Sequence, residues 1–162
     1  MYKETFKYII KNKIWIGYHY HLTGFLLSDG SILPKNDNLP RSCCWFTNLP
    51  VSIRNDELIL TQNYDPVKNP KYDNFDAIEV GSTTNIPYDY DGIMGVPITF
   101  LQKFNPEQFE ILGLGSGDSA KEVGVGKNYR GRTDLAYTRD GKHQCPFGRI
   151  LIKNKKVRKD ED

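Results

Sequence analysis

A helix-and-strand unit over residues 99–114 most narrowly restricts the fold of this chain. Residues 99–104 are typical of a short helix that ends at Asn105-Pro106, and the apolar strand FEILGL over residues 109–114 follows almost directly. The strand continues into glycines at positions 113, 115 and 117. Because glycine often interrupts helices and strands, a turn is expected there. The unit predicts short helices and strands that pack around one sheet.

The glycines after this strand raise the alternative of a cofactor-binding loop. A dinucleotide-binding fingerprint has the form G-x-G-x-x-G/A after a strand and at the start of a helix, and Gly115, Gly117 and Ala120 match that spacing. The next segment, KEVGVGKNYRG, is a poor helix because three further glycines interrupt it. We therefore interpret the glycines as structural and expect flexible chain over residues 115–131.

The remaining elements follow from local patterns. Apolar side chains recur at the spacing of one helix face over residues 2–10, and Asp29-Gly30 between two apolar runs is typical of a hairpin turn. Residues 63–92 are predicted to be ordered but irregular, apart from one strand. Strands are predicted at 13–20, 42–49, 56–63, 76–80, 109–114, 132–138 and 147–156. The expected fold is α+β, with a mixed, mostly antiparallel sheet and few short helices.

Length and composition indicate one domain of an ordinary soluble protein. A chain of 162 residues with 38% apolar and 26% charged residues can bury its own core. We expect a single domain over 1–162, with the sheet and aromatic-rich loops in 1–120 and a basic segment in 121–162. No membrane-spanning run or signal-peptide pattern occurs, which predicts a cytoplasmic protein without a membrane partner. The three cysteines form neither a disulfide framework nor a zinc-knuckle pattern, so no metal site is predicted.

Charge is distributed unevenly along the chain. Residues 1–120 contain 10 basic and 14 acidic residues, whereas residues 121–162 contain 12 basic and 6 acidic residues. A basic segment suits DNA, because each lysine or arginine placed on a phosphate releases condensed counterions. A solvated segment that keeps the protein soluble is the alternative interpretation.

Two short motifs resemble catalytic sites without completing them. NPKY, residues 69–72, differs by Lys71 from the Asn-Pro-Pro-aromatic tetrapeptide with which amino-methylating DNA methyltransferases hold a flipped base. In DAIEVG, Asp76 and Glu79 could serve as nuclease metal ligands, but Gly81 stands where a lysine is expected. Neither motif is predicted to be catalytic.

Five collinear segments carry a family resemblance: YKETFKYIIKNKIWIGY, CWFTNL, PKYDNFDAIEV, IPYDYDGIMGVPITFLQKFNPEQFEILGL and GRILIKNKK. Together they resemble the carboxyl-terminal half of the EcoRI-type adenine-specific DNA modification methyltransferases. The resemblance implies a restriction-modification protein that transfers a methyl group from S-adenosylmethionine to adenine N6 in duplex DNA, with the adenine flipped out of the stack. It also implies that the sheet corresponds to the last strands and target-recognition region of a Rossmann-like methyltransferase.

The sequence departs from this family in one respect. The family's cofactor-binding glycine loop and Asn-Pro-Pro-Phe motif precede the segment that matches YKETF, and no Pro-Pro dipeptide occurs in these 162 residues. We therefore expect a carboxyl-terminal part that contains no catalytic or S-adenosylmethionine-binding residues and is inactive alone. Its expected partners are double-stranded DNA and an amino-terminal catalytic polypeptide. The alternative is a non-catalytic interaction module that complements a separate catalytic polypeptide.

Candidate DNA contacts lie in the basic segment. A glycine-flanked loop there could present arginine to guanine and asparagine to adenine in the major groove, while lysines and arginines beyond it would bind phosphates. For two strand residues, Arg149 and Lys153, a solvent-facing structural position is the alternative. The predicted contacts are Lys127, Asn128, Arg130, Arg132, Lys142, Arg149, Lys153 and Lys155.

Overall fold

A computed structural model describes residues 3–17, 24–26, 28–34 and 45–158. This part of the chain contains two short α-helices, Lys3–Ile10 (α1) and Gly117–Glu122 (α2). Three 3-10 helices lie at Ser52–Asn55, Thr83–Asn85 and Ile98–Lys103. The strands are Trp15–Ile16 (β1), Gly24–Leu26 (β2), Ile32–Pro34 (β3), Phe46–Thr47 (β4), Ile78–Glu79 (β5), Ile93–Pro97 (β6), Phe109–Leu114 (β7), Tyr137–Arg139 (β8), Lys142–Gln144 (β9) and Arg149–Asn154 (β10).

The core is a four-stranded sheet with the order β5-β6-β10-β7. Strand β10 is antiparallel to both β6 and β7, whereas β5 is parallel to β6. The pairs β1-β4, β2-β3 and β8-β9 are each antiparallel two-stranded sheets. The predicted mixed, mostly antiparallel sheet with few short helices is confirmed.

Strand β10 is buried on both faces. Ile150 and Ile152 project into the larger hydrophobic cluster, which also contains Met94 and Phe100. Leu151 projects to the opposite face, into a second cluster, because successive side chains of a strand alternate between faces. A continuous apolar run such as ILI is what a strand covered on both sides requires. The strand predicted at 147–156 is therefore confirmed as a central strand of the sheet.

Helix α1 covers the larger cluster with one face. Phe6 and Ile9 are 3% exposed, whereas Lys7 and Tyr8 lie on the solvent side. This separation follows the 3.6-residue helical repeat. The helix predicted from the apolar spacing of residues 2–10 is confirmed.

Two hairpins use the same turn sequence. Asp29-Gly30 lies in the loop between β2 and β3, so the predicted hairpin is confirmed, and in this longer loop only Gly30 of the two residues has a positive φ, of +83°. Asp140-Gly141 joins β8 to β9, with φ values of 51° and 71°. Positive φ at both central residues is the geometry that Asp-Gly favours. The second hairpin was not predicted, although its turn sequence was visible.

The strand predicted at residues 56–63 is wrong. Residues 56–61 form no strand, and Gln62 makes only an isolated bridge to Pro87. The backbone of Leu58 pairs instead with a side chain, since its N–H donates to Gln108 Oε1 and its carbonyl accepts from Gln108 Nε2, both at 2.8 Å. A buried side-chain amide thus satisfies the backbone groups that a neighbouring strand would otherwise bind.

Strand β6 and helix α2 were not predicted. Strand β6 contains Gly95 and ends at Pro97, two residues that are depleted in strands. Helix α2 lies in the stretch where flexible chain was expected, and that expectation is corrected for residues 117–122. The strands expected at 13–20 and 42–49 are present as the short pair β1-β4, and the ends at 18–20 and 42–44 lie outside the described residues.

Replacing Gly95 with alanine should lower the free energy of unfolding by about 1–3 kcal/mol, because overpacking a buried site forces neighbouring groups to move. An added Cβ would overlap the hydroxyl of buried Tyr72. Urea denaturation measures the effect. Gly81→Ala is the matched control, since nothing lies within 4 Å of its Cβ position. Equal stabilities of the two variants would contradict this packing.

Candidate nucleic-acid interface

The basic loop between α2 and β8 is closed by one asparagine. Asn128 Oδ1 accepts hydrogen bonds from the backbone N–H groups of Arg130 at 2.9 Å and Arg132 at 3.2 Å. Its backbone N–H donates to the Arg132 carbonyl, and Gly131, at a φ of +72°, donates to the Asn128 carbonyl. The turn therefore holds residues 128–132 in one conformation.

The same asparagine fastens the loop to its surroundings. Asn128 Nδ2 donates to the Asp134 carbonyl at 3.1 Å and to Cys145 Sγ at 3.4 Å. An amide has two acceptor lone pairs and two N–H donors, and all four are occupied here. The predicted contact of Asn128 with adenine thus lacks an available group, and its role in this structure is to shape the loop.

Four of the predicted cations are exposed and lack ion-pair and side-chain hydrogen-bond partners among the described residues. Lys127, Arg130, Arg132 and Lys142 are exposed. None of the four side chains forms an ion pair or hydrogen bond within the described part of the chain. The Arg130 guanidinium lies 5.1 Å from the centre of the Tyr129 ring, a cation–π arrangement.

An aromatic stack joins the loop to the β8-β9 hairpin. The rings of Tyr129 and His143 are 4.6 Å apart and nearly parallel, at 19°. The Thr138 hydroxyl donates to Asp73 at 2.8 Å, so its oxygen accepts from His143 Nδ1 at 2.9 Å. Lys142 precedes His143 on β9, and successive side chains of a strand point to opposite faces, so Lys142 is exposed on this hairpin but does not share the face of His143. We call the set Lys127, Tyr129, Arg130, Arg132 and His143 the basic loop surface.

Arg149 is placed differently from the prediction. Its side chain is 14% exposed and binds Glu79, which is 5% exposed. Arg149 Nε donates to both Glu79 oxygens at 3.0 Å, and Nη2 donates to Oε1. The guanidinium is thus engaged inside the protein, and Arg149 does not have the solvent-facing position that was the alternative to a phosphate contact.

Tyr72 completes the buried network by donating its hydroxyl to Glu79 Oε2. Burial and the negative charge of Glu79 raise the pKa of Tyr72. Burial alone would lower the pKa of Arg149, but the hydrogen bonds and charge of Glu79 outweigh it and raise that pKa. The network therefore favours a charged Arg149 guanidinium and a neutral Tyr72 phenol.

Lys153 and Lys155 lie away from the basic loop surface. Lys153 lies four positions after Arg149 on β10, which corresponds to about 13 Å along the strand. Lys153 Nζ lies 3.5 Å from Asp91 Oδ1, and Lys155 Nζ donates to the Pro106 carbonyl at 2.7 Å. The structure thus brings together three of the eight predicted side chains as exposed cations on one loop, Lys127, Arg130 and Arg132, and it does not place these two lysines beside them.

The other sequence motifs have structural roles. Asn69 of NPKY is buried and its Nδ2 donates to the Glu79 carbonyl at 3.3 Å. At the glycine loop, the Asp134 carboxylate accepts the Gly117 N–H at 3.1 Å, so the start of α2 already faces an anion. No group of three potential metal ligands occurs in the described ranges.

Sequence analysis did not select three residues that the structure makes prominent: Tyr129, His143 and Phe147. Tyr129 lies between two basic residues in KNYRGR, an interleaving that could have drawn attention to it. The contact of Tyr129 with His143 joins residues 14 positions apart, so no local sequence pattern predicts it. Phe147, in CPFGR, is 95% exposed.

Comparisons with known proteins give a consistent result. A family described as adenine-specific methyltransferase EcoRI matches residues 1–155. The chain is 42% identical to the Type II methyltransferase M.EcoRI of Escherichia coli, over 98% of this chain and 48% of that protein. It is 39% identical to the Type II methyltransferase M.MgeORF184P of Mycoplasma genitalium, over 68% of this chain and 40% of that protein. It is 29% identical to the Type II methyltransferase M.MpnI of Mycoplasma pneumoniae, over 95% of this chain and 53% of that protein.

The chain therefore spans about half the length of the curated relatives that it matches. No solved structure matches it significantly. Among the helices of the described segments, none has the length and apolar composition needed to cross a membrane.

Alkaline pH is expected to destabilise the fold through Tyr72. The unfolded phenol ionises near its ordinary pKa of 10.0, whereas the folded protein retains the proton because the pKa is raised. The stability contributed by Tyr72 is thus complete below pH 10 and declines above it. The stability advantage of wild type over Tyr72→Phe should shrink between about pH 8 and about pH 11.

Urea denaturation at each pH measures this difference. Tyr8→Phe is the control, since the Tyr8 side chain is 52% exposed, and its difference from wild type should stay constant. A constant difference for Tyr72→Phe as well would contradict the assigned proton on Tyr72.

Proposed function

The chain belongs to the EcoRI family of adenine-specific methyltransferases, and from this membership we propose that residues 1–162 form the carboxyl-terminal, DNA-recognising part of a restriction-modification methyltransferase. The whole enzyme would transfer a methyl group from S-adenosylmethionine to adenine N6 of double-stranded DNA in the cytoplasm. Family membership, the basic loop surface and the match to about half of each relative together support this proposal.

The observation that carries the DNA-binding role is a set of exposed loop cations without ion-pair partners among the described residues. Arg130 and Arg132 extend from a turn that Asn128 closes, so the backbone of the loop loses little conformational entropy when they bind. Arginine suits both phosphate oxygens and the O6 and N7 acceptors of guanine. Lys127, on the same loop, and Lys142, exposed on the neighbouring hairpin, would bind phosphates, which position the protein on the duplex.

The proposed fold relation concerns the central sheet. We propose that its four strands are the last strands of a Rossmann-like methyltransferase sheet and that residues 1–162 act as one domain. The parallel pair β5-β6 beside antiparallel β10 and β7 suits the end of such a mixed sheet. The basic loop surface would then lie on the target-recognition side of the enzyme.

The cofactor site is proposed to lie outside these residues. The Asn-Pro-Pro-Phe motif is absent from the 162 residues. In NPKY, the side-chain amide of Asn69 is buried and donates to the Glu79 carbonyl. At the start of α2, the Gly117 N–H donates to the Asp134 carboxylate. This chain by itself is then expected to have no methyltransferase activity. Titration calorimetry with S-adenosylmethionine tests this point, and tight binding by the 162-residue chain would contradict it.

A second candidate is an interaction module that completes a separate catalytic polypeptide. A shallow apolar groove lies between α1, β7 and α2, lined in part by Phe6, Ile10, Leu114 and Val123. Strand β7 lies at one end of the sheet and pairs only with β10 among the described strands. Co-purification with the amino-terminal half of a family member, and loss of that complex in Ile10→Asp, would favour this candidate.

Removing Arg130 and Arg132 together should weaken duplex binding and reduce its dependence on salt. Each phosphate contact contributes about 0.9 to the slope of log affinity against log salt concentration, so the double alanine variant should lose about 1.8. Fluorescence anisotropy with a labelled mixed-sequence duplex at several salt concentrations measures both quantities.

The charge-matched control is Lys11→Ala with Lys103→Ala. Both lysines are exposed and lie outside the basic loop surface. If the two double variants bind equally well with equal slopes, the loss reflects net charge alone and the proposed interface is wrong.

A further inference from the structure

Phe147 is the most exposed large apolar side chain in the part of the chain that the structure describes. Its side chain is 95% exposed, compared with 46% for Tyr129. Single exposed apolar residues are common on protein surfaces, but a ring this exposed gains free energy when a partner buries it.

The backbone that presents Phe147 is fixed at several points. The Phe147 carbonyl accepts a hydrogen bond from Arg149 Nη1 at 2.9 Å, and Arg149 is itself fixed by Glu79. The Gly148 carbonyl accepts from the Ile98 N–H at 2.9 Å, and Gly148 has a φ of +59°. Since Pro146 also restricts the chain, the ring is displayed by a preorganised turn.

This turn is joined to the basic loop surface. Cys145, two residues before Phe147, accepts the hydrogen bond from Asn128 that fastens the basic loop. The exposed cations Lys127, Arg130 and Arg132 belong to that loop. A polyanion with apolar flat faces complements an apolar ring beside several cations, and duplex DNA is such a partner.

We propose that Phe147 is a wedge that inserts between neighbouring base pairs when DNA lies on the basic loop surface. Apolar side chains inserted in this way unstack a base step and kink the duplex. The cations hold the phosphates while the ring enters the stack. This inference rests on the proposed DNA-binding function and adds to it a residue that deforms the DNA. Unstacking at this step lowers the cost of extruding an adjacent adenine.

The test uses the full chain and mixed-sequence duplexes that carry 2-aminopurine at successive positions. The fluorescence of 2-aminopurine rises when the base loses its stacking neighbour. Saturating wild-type protein should raise it severalfold at one or two adjacent positions, and Phe147→Ala should abolish the rise. Ile59→Ala is the matched control, since Ile59 is 84% exposed outside the basic loop surface; it should behave as wild type.

Affinity provides a second measurement. Phe147→Ala should bind an intact duplex about tenfold more weakly than wild type, because a stacking contact with a base is lost. For a duplex with an abasic site, where a base is already missing, we expect a smaller loss. Circular dichroism should show the same folded spectrum for both variants.

The outcomes separate the two proposals. Salt-sensitive binding by wild type, without any fluorescence change or with the same change in Phe147→Ala, would overturn the wedge and leave the DNA-binding function standing. Failure of the wild-type chain to bind any duplex at low salt would overturn both. Normal DNA deformation by Phe147→Ala together with loss of a protein partner would assign the ring to a protein pocket instead.

Discussion

The buried ion pair between Glu79 and Arg149 joins two strands of the central sheet that are not neighbours, and it holds the arginine that binds the turn before β10. The two residues are 70 positions apart in sequence and belong to β5 and β10, with β6 between them. The side chains meet above Gly95, which pairs with Glu79 on one side and with Leu151 on the other. Because Gly95 has no side chain, the Tyr72 hydroxyl can lie over β6, where it donates to Glu79. Removing one partner of such a buried pair typically costs about 3–5 kcal/mol, since it leaves the other charge uncompensated.

The same arginine controls both segments of the candidate interface. Its backbone carbonyl accepts the Gly115 N–H at 2.8 Å, and the Gly115 carbonyl accepts the Leu135 N–H at 3.0 Å. This chain of bonds links β10 to both ends of the segment that carries the basic loop. The guanidinium meanwhile fixes the Phe147 carbonyl. Arg149 is thus a positioning residue, and Glu79 compensates its charge inside the protein.

Sequence reasoning recovered the elements whose information is local. The helical repeat of α1, the apolar runs of β7 and β10 and the Asp29-Gly30 turn each depend on neighbouring residues. The remaining features depend on contacts between residues far apart in the sequence, which a local pattern does not reveal. Gly95 weakens the local strand pattern of β6 but is required by Tyr72, which lies 23 positions earlier. Gln108 replaces a strand partner 50 positions away, and the pairing of Arg149 with Glu79 turned an apparent surface cation into a core residue.

The basic residues near the two ends of β10 differ in their acidic partners. At the far end, Asp91 lies 3.5 Å from Lys153 and Glu57 lies 3.4 Å from Lys156, so acids from the first part of the chain partly neutralise the late lysines. At the near end, the Asp134 carboxylate is directed to the Gly117 N–H and not to an arginine. The excess of basic residues over 121–162 is therefore not a uniform property of that segment. It persists where the loop cations lack acidic partners among the described residues, and a polyanion would meet its strongest attraction there.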